Sequence, residues 1–122
     1  MARILVIDDS AVIRNLLYEY LSELGHDVEL ASDGQEGIDM AVSGDYVVAI
    51  CDVHMPKRNG FEVFQEVRSR APEIAFLMTD SLPDELAERA HAEGAHAILT
   101  KPFDLHHVRA TIESLLQTVK SR

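Results

Sequence analysis

The sequence has one cysteine, Cys51, and few basic residues. A single cysteine excludes an internal disulfide, and inside an apolar run it is typical of a small buried residue in a reducing compartment. There are 11 lysines and arginines against 21 aspartates and glutamates, which gives a net charge of −10. This deficit argues against direct binding to nucleic acid or to an anionic membrane, because both select basic surfaces.

Long apolar runs are also missing. The longest, residues 46–51, is far too short to cross a bilayer. The start of the chain lacks the pattern of a secretory leader, since its short apolar stretch ends in two aspartates. The six histidines show no zinc-ligand spacing. With no linker, repeat or low-complexity segment, we expect one cytoplasmic domain over residues 1–122.

Short apolar runs alternate with helical patterns along the whole chain. The runs lie at residues 4–7, 47–51, 74–78 and 97–99, and unbroken runs of this kind are typical of parallel strands covered on both faces. Residues 27–30 alternate apolar and polar side chains instead, which indicates an edge strand. Five βα units in a row predict a parallel sheet with helices on both faces.

Five helices are predicted between and after these runs. Gly25 is placed to end the first, and Asp33 with Glu36 resembles a capping box that opens the second. The fourth, residues 81–93, has only a thin apolar stripe. The apolar positions at helical spacing are Ile13, Leu16, Leu17, Tyr20, Leu21 and Leu24 in the first helix, Phe61, Phe64 and Val67 in the third, Leu86 and Ala90 in the fourth, and Leu105, Val108, Ile112, Leu115, Leu116 and Val119 in the fifth.

Polar residues follow four predicted strands at the point where each ends. They are Asp8 and Asp9 after the first, Asp52 after the third, Thr79 after the fourth, and Thr100 with Lys101 after the fifth. In an open α/β sheet the carboxyl ends of the strands lie along one edge, where ligands bind at the topological switch point. Three carboxylates, a hydroxyl and an ammonium group are therefore expected to meet there.

Each of these residues also has an ordinary structural interpretation. Asp9 can cap the first helix, and Asp52 can be a turn residue before Pro56. Thr79 can be a strand residue and Lys101 a surface lysine. Because four separate strand ends carry the groups that one reaction needs, we favour a shared site.

Three crowded carboxylates repel: at ~4 Å and an effective dielectric of ~20, each pair costs about 4 kcal/mol. Such a cluster needs a cation, and Mg²⁺ suits an oxygen-ligand site that also binds phosphate. The ion would neutralise the acids and clamp a phosphoryl oxygen. Lys101 would neutralise a second oxygen, and Thr79 would donate a hydrogen bond to a third. One carboxylate is then free to attack phosphorus and form an aspartyl phosphate.

The motifs ILVIDDS, DVHMPKRNG, FLMTD and LTKPF, in this order and spacing, make the chain resemble the receiver domains of two-component response regulators. The resemblance implies a flavodoxin-like, doubly wound, five-stranded parallel sheet in the order 2-1-3-4-5. It implies a signalling module that accepts a phosphoryl group from a sensor histidine kinase or histidine phosphotransfer protein and then switches partner binding. It also implies a protein that catalyses only its own phosphorylation and dephosphorylation.

The same resemblance assigns roles to individual residues. The implied magnesium ligands are Asp8, Asp9, Asp52 and the main-chain carbonyl of His54. Asp52 would be the phospho-acceptor, Thr79 the switch hydroxyl and Lys101 the phosphate-binding lysine, with a cis peptide between Lys101 and Pro102. Met55, Pro56 and Gly60 match the turn after the acceptor. An output protein or domain would contact the fourth helix, fifth strand and fifth helix.

Three residues depart from the family pattern. Ile98 stands where a tyrosine or phenylalanine commonly swings with the threonine, so the readout is expected to differ. Asp80 stands where a small residue is usual, and is expected to narrow access to Asp52 or to repel an incoming phosphoryl group. Arg58 replaces a common apolar residue and is a candidate partner contact.

Other functions remain as alternatives. A phosphatase of the haloacid dehalogenase type uses the same aspartyl phosphate, but its D-x-D motif comes first and its paired acids last, the reverse of the order here. A phosphate-blind interaction module is disfavoured by the intact set of site residues. A flavin site is disfavoured because the first loop lacks a Ser/Thr/Gly-rich phosphate cradle. A stand-alone regulator is expected, with a fragment of a longer regulator or hybrid kinase as the alternative.

Overall fold

The computed structural model describes residues 2–81 and 85–120, in which strands and helices alternate. The strands are β1 (Arg3–Ile7), β2 (Asp27–Ala31), β3 (Val48–Asp52), β4 (Ala75–Asp80) and β5 (Ala97–Thr100). The helices are α1 (Ala11–Glu23), α2 (Gly34–Ser43), α3 (Gly60–Arg70), α4 (Glu85–Ala92) and α5 (Leu105–Lys120). None of these helices is both long enough and apolar enough to span a bilayer.

The strands form one parallel sheet in the order β2-β1-β3-β4-β5. This order confirms the predicted fold class and places β2 at an edge, as its alternating pattern indicated. The chain winds outward in both directions from β1 and β3, so these two strands form the topological switch point. Ligands of doubly wound sheets bind beside such a point, at the carboxyl ends of the strands.

The core has two layers, one on each face of the sheet. Side chains from alternate strand positions pack under α1 and α5 on one face and under α2, α3 and α4 on the other. The three middle strands are buried on both faces, which explains their unbroken apolar runs. Because side chains alternate along a strand with a period of two, the phase of each strand determines the face on which its last side chain lies.

The helix caps differ in part from those expected. Ser10, not Asp9, caps α1, because the Ser10 hydroxyl accepts from the Ile13 amide. Asp33 does cap α2, but the carboxylate of Glu36 accepts from the Ser32 amide, so the capping box is incomplete. Gly25 follows the end of α1 with φ 93°, as its placement suggested. The Asp9 side chain is therefore left available to the acidic loop.

The buried face of helix α4 agrees with the predicted stripe at Ala90 and differs at Ala87, which was not predicted. Ala87 and Ala90 are buried, whereas Leu86 is only partly buried. Residues 82–84 of the predicted helix, and the side chain of Val119 in α5, lie outside the described residues. Part of the contact between α4 and the rest of the domain comes from α3: the Arg89 guanidinium lies 4.6 Å from the Phe61 ring centroid. Arg68 of α3 also donates to the Glu93 carbonyl just after α4.

Candidate functional site

Strand alternation places four of the predicted site residues on one face of the sheet. Val6, Ile50, Leu77 and Leu99 pack under α1 and α5. Two residues after each of them come Asp8, Asp52, Thr79 and Lys101. Asp52 pairs directly with Thr79, and the pairing of Ile7 with Cys51 brings Asp8 beside Asp52. The four side chains therefore converge at one edge because each strand ends in the same phase.

The acid cluster consists of Asp8, Asp9 and Asp52. One carboxylate oxygen from each lies within 4.8 Å of the others. Asp8 and Asp52 are 2% and 7% exposed, and Asp9 is exposed. Water screens the two buried carboxylates poorly, so their repulsion must be offset by a cation. Three oxygen donors with one side open to solvent fit a hard divalent ion such as Mg²⁺.

Lys101 supplies positive charge inside the cluster. Its Nζ lies 2.9 Å from Oδ2 of Asp8 and 3.4 Å from Oδ1 of Asp52. Burial opposes the charged lysine, but the hydrogen bond and charge of Asp8 and the charge of Asp52 outweigh it and raise the pKa of Lys101. The ammonium group therefore stays charged at neutral pH beside the proposed acceptor.

Asp52 is a poorly stabilised carboxylate in the absence of metal. Burial, followed by the charge of Asp8, raises the pKa of Asp52 to about 6, although Lys101 acts in the opposite direction. A divalent cation in the cluster would favour the ionised form and make Asp52 fully available as a nucleophile at neutral pH.

Sequence reasoning missed two contacts that hold the acidic loop. The Ser10 amide donates to Oδ1 of Asp8 over 2.9 Å, and the Arg14 guanidinium donates to the Asp8 carbonyl over 2.7 Å. The first is an Asx turn, a usual conformation for Asp followed closely by a helix. The second contact could have been predicted from the position of Arg14 in the first turn of α1, the helix that follows the acidic pair.

The turn after the acceptor requires a glycine. The Gly60 amide donates to the Val53 carbonyl over 2.7 Å, and a Cβ atom on Gly60 would lie 2.3 Å from the carbonyl oxygen of Asp52. Any side chain at position 60 would therefore displace the backbone of the acceptor. On the other side of the site, the Lys101–Pro102 peptide is cis, as the resemblance implied.

The three departures from the family pattern have clear positions. Asp80 is buried, and its Oδ2 lies 3.6 Å from Nε2 of His54. Ile98 is partly buried and packs in the core layer under α2, α3 and α4. Arg58 contacts Gln35 of α2 and Glu66 of α3, so contacts within the chain account for a charged residue there.

A family comparison and the site geometry lead to the same assignment. The model of the response regulator receiver domain matches residues 4–113. The chain belongs to this family. Curated relatives include the transcriptional regulatory protein RprY of Bacteroides fragilis, 35% identical over 122 residues, and the response regulator MprA of Mycobacterium avium, 38% identical over 120 residues. The matches cover 98% and 97% of this receiver chain but 51% and 52% of the relatives, so the chain spans about half their length.

Solved structures match the receiver domain over nearly its whole length. A response regulator receiver domain protein from Clostridium thermocellum has a TM-score of 0.92 at 29% identity, with 98% of each chain covered. The response regulator TrrA from Thermotoga maritima, in complex with Mg²⁺-BeF, has a TM-score of 0.84 at 30% identity, with 94% of this chain and 99% of that chain covered. This receiver domain is therefore part of a two-component system.

Magnesium is expected to stabilise the receiver domain. At free Mg²⁺ near 100 times its Kd, mass action adds about 2.7 kcal/mol, which raises the thermal midpoint by several degrees. Asp9→Asn is expected to reduce this shift, and Asp45→Asn, an exposed change at the other end of β3, is the control. Thermal unfolding in EDTA and in MgCl₂ measures the effect. An unchanged Mg²⁺ affinity in Asp9→Asn would remove Asp9 from the site.

Proposed function

We propose that this receiver domain, taken as residues 1–122, transfers a phosphoryl group from a phosphohistidine donor to Asp52 in an Mg²⁺-dependent reaction. The observation that carries the proposal is the position of Lys101, which contacts both Asp8 and Asp52 inside the buried acid cluster. If Lys101 served only to neutralise Asp8 and Asp52, the presence of a third acid, Asp9, in the same cluster would be unexplained. A site for a cation and a phosphoryl group accounts for all of them.

In the proposed reaction an Oδ atom of Asp52 attacks phosphorus. The O–P bond forms as the P–N bond to the donor histidine breaks, and the donor imidazole nitrogen leaves with the bonding electron pair. The metal ligands would be Asp8, Asp9, Asp52 and the carbonyl of His54, and bound Mg²⁺ would neutralise the acids and a phosphoryl oxygen. Lys101 binds a second oxygen from its place beside Asp52, and the Thr79 hydroxyl donates to a third.

The proposed donor is a sensor histidine kinase or a histidine phosphotransfer protein, and the proposed recipient of the signal is an output protein or domain. Membership of the response regulator family supports both. The Mg²⁺-BeF complex of TrrA supports a site that holds Mg²⁺ and a small anion together. We further propose that the domain catalyses only its own phosphorylation and dephosphorylation. Sustained turnover of phosphate esters would instead indicate a phosphatase.

Incubation with acetyl phosphate and Mg²⁺ tests the proposal. One phosphoryl group per chain is expected by intact mass, and none is expected in EDTA. Peptide mapping after borohydride trapping should place the modification at Asp52. A modification on one of the six histidines instead of Asp52 would overturn the proposal.

Phosphorylation is expected to alter hydrogen exchange most strongly, outside the metal loops, within residues 79–95. Helix α4 buries only two alanines in its described span, so it is held to the sheet weakly and belongs to the low-stability part of the domain. Movement of Thr79 toward the phosphoryl group would shift the following loop and this helix. Exchange with and without beryllofluoride measures the response. Unaltered exchange there, with a response in α1, would place the switch on another face.

A further inference from the structure

The contact between His54 and Asp80 connects the loop after β3 to the last residue of β4. His54 is two residues after Asp52, and Asp80 is one residue after Thr79. Because Asp52 and Thr79 pair across β3 and β4, the next residues of both segments remain close, and Nε2 of His54 lies 3.6 Å from Oδ2 of Asp80. The contact therefore links the metal loop to the end of β4.

The two partners differ sharply in exposure. The Asp80 side chain is 4% exposed, whereas the His54 side chain is 54% exposed. A carboxylate so deeply buried costs free energy unless neighbouring groups stabilise it, so Asp80 is held in place by its contacts. The His54 imidazole is a basic group in contact with the Asp80 carboxylate, and it approaches from the solvent side.

Thr79 and Asp80 share a peptide bond but point to opposite faces of the sheet. Thr79 follows Leu77 in phase and lies on the face of the acid cluster, whereas Asp80 follows Met78 and lies on the α3 and α4 face. The end of β4 is also tied by its backbone: the Val53 amide donates to the Thr79 carbonyl, and the Lys101 amide donates to the Asp80 carbonyl. A backbone displacement at Thr79 would therefore also move the Asp80 carboxylate.

We propose that His54 and Asp80 are positioning residues of the phosphorylation switch, whose contact holds the end of β4 in its unphosphorylated position. This inference rests on the proposed function of Asp52. Ile98, the β5 partner of Met78, packs in the same core layer and has no polar group with which to contact Asp80. Phosphorylation has to loosen the contact, so the contact opposes the switched state.

By thermodynamic linkage, removing the contact strengthens binding of an anion that favours the switched state. The probe is beryllofluoride at saturating Mg²⁺, titrated by calorimetry into wild type, Asp80→Asn, His54→Gln and the double variant. Each single variant is expected to bind about fivefold more tightly than wild type. The double variant is expected to gain less than the sum of the two single gains, because either single change already removes the contact between His54 and Asp80.

The sign of the His54→Gln effect separates this proposal from simple electrostatics. Loss of the Asp80 charge alone would tighten anion binding, but loss of an imidazole would leave it unchanged or weaken it. Weaker or unchanged binding by His54→Gln, or additive gains in the double variant, would overturn the proposal. Matched controls are Asp45→Asn and His91→Gln, both exposed and both at the opposite edge of the sheet. If wild type itself fails to bind beryllofluoride, the proposed function fails, which is a different result.

Discussion

Asp52→Asn is expected to abolish incorporation of a phosphoryl group and, in metal-free solution above pH 6, to raise the free energy of unfolding by up to about 3 kcal/mol. The first effect follows because an amide does not attack phosphorus. The second follows because burial and the charge of Asp8 raise the pKa of Asp52 to about 6. The ionised carboxylate therefore destabilises the fold, and asparagine removes that charge while keeping the size of the side chain.

The stabilisation by Asp52→Asn is expected to depend on pH in a defined direction. The native Asp52 carboxyl takes up its proton more readily than the unfolded one, so wild type gains stability relative to the variant as pH falls through about 6. The difference between the two proteins should be constant above that pH and small near pH 4. Urea unfolding in EDTA across this range measures it, with Asp45→Asn as the control. If Asp52→Asn were less stable than wild type at pH 7.5, the ionised Asp52 carboxylate would not destabilise the fold, and this prediction would be wrong.

Lys101→Met is expected to have the opposite effect on stability. Its ammonium group contacts Asp8 and Asp52, and its side chain is 15% exposed, so its loss leaves two buried carboxylates without their cation. Breaking a buried ion pair in this way costs about 3 kcal/mol or more. Phosphorylation by acetyl phosphate should slow by about 100-fold, because one donor to the developing charge is lost.

Magnesium should reverse most of the stability loss in Lys101→Met but not the loss of rate. The ion would neutralise the acids in place of the ammonium group, whereas the phosphoryl oxygen would still lack its lysine. Lys57→Met is the matched control, since Lys57 pairs with Asp33 at 3.4 Å but is 70% exposed, and such surface pairs contribute little. Equal loss of stability in both variants would show that Lys101 is an ordinary surface lysine.

The fold and the convergence of the site residues were predictable because both depend on regular patterns. Unbroken apolar runs indicated parallel strands, and a polar residue at the end of each run had to lie at the same edge of the sheet. The period of two explains why Asp8, Asp52, Thr79 and Lys101 also share one face. No loop conformation was needed for this prediction.

Contacts made by loops and helix ends were harder to predict. Two adjacent candidates, Asp9 and Ser10, could each cap α1, and the choice depended on the local backbone. In α4 both Leu86 and Ala87 stand at helical spacing from Ala90, and the smaller residue is the one buried. The contact of His54 with Asp80 joins the loop after β3 to the end of β4, and this approach follows only from the register of the two strands.

The ion pair of Lys101 with Asp8 joins the end of the first strand, β1, to the end of the last, β5. The two residues are 93 positions apart in sequence, and all the other strands are laid down between them. A nascent or truncated chain that stops before β5 would carry the acids without their lysine, however well its first four strands were paired. Competence to accept a phosphoryl group would therefore arise only after β5 has been made, and a competent molecule would also be one whose whole sheet is assembled.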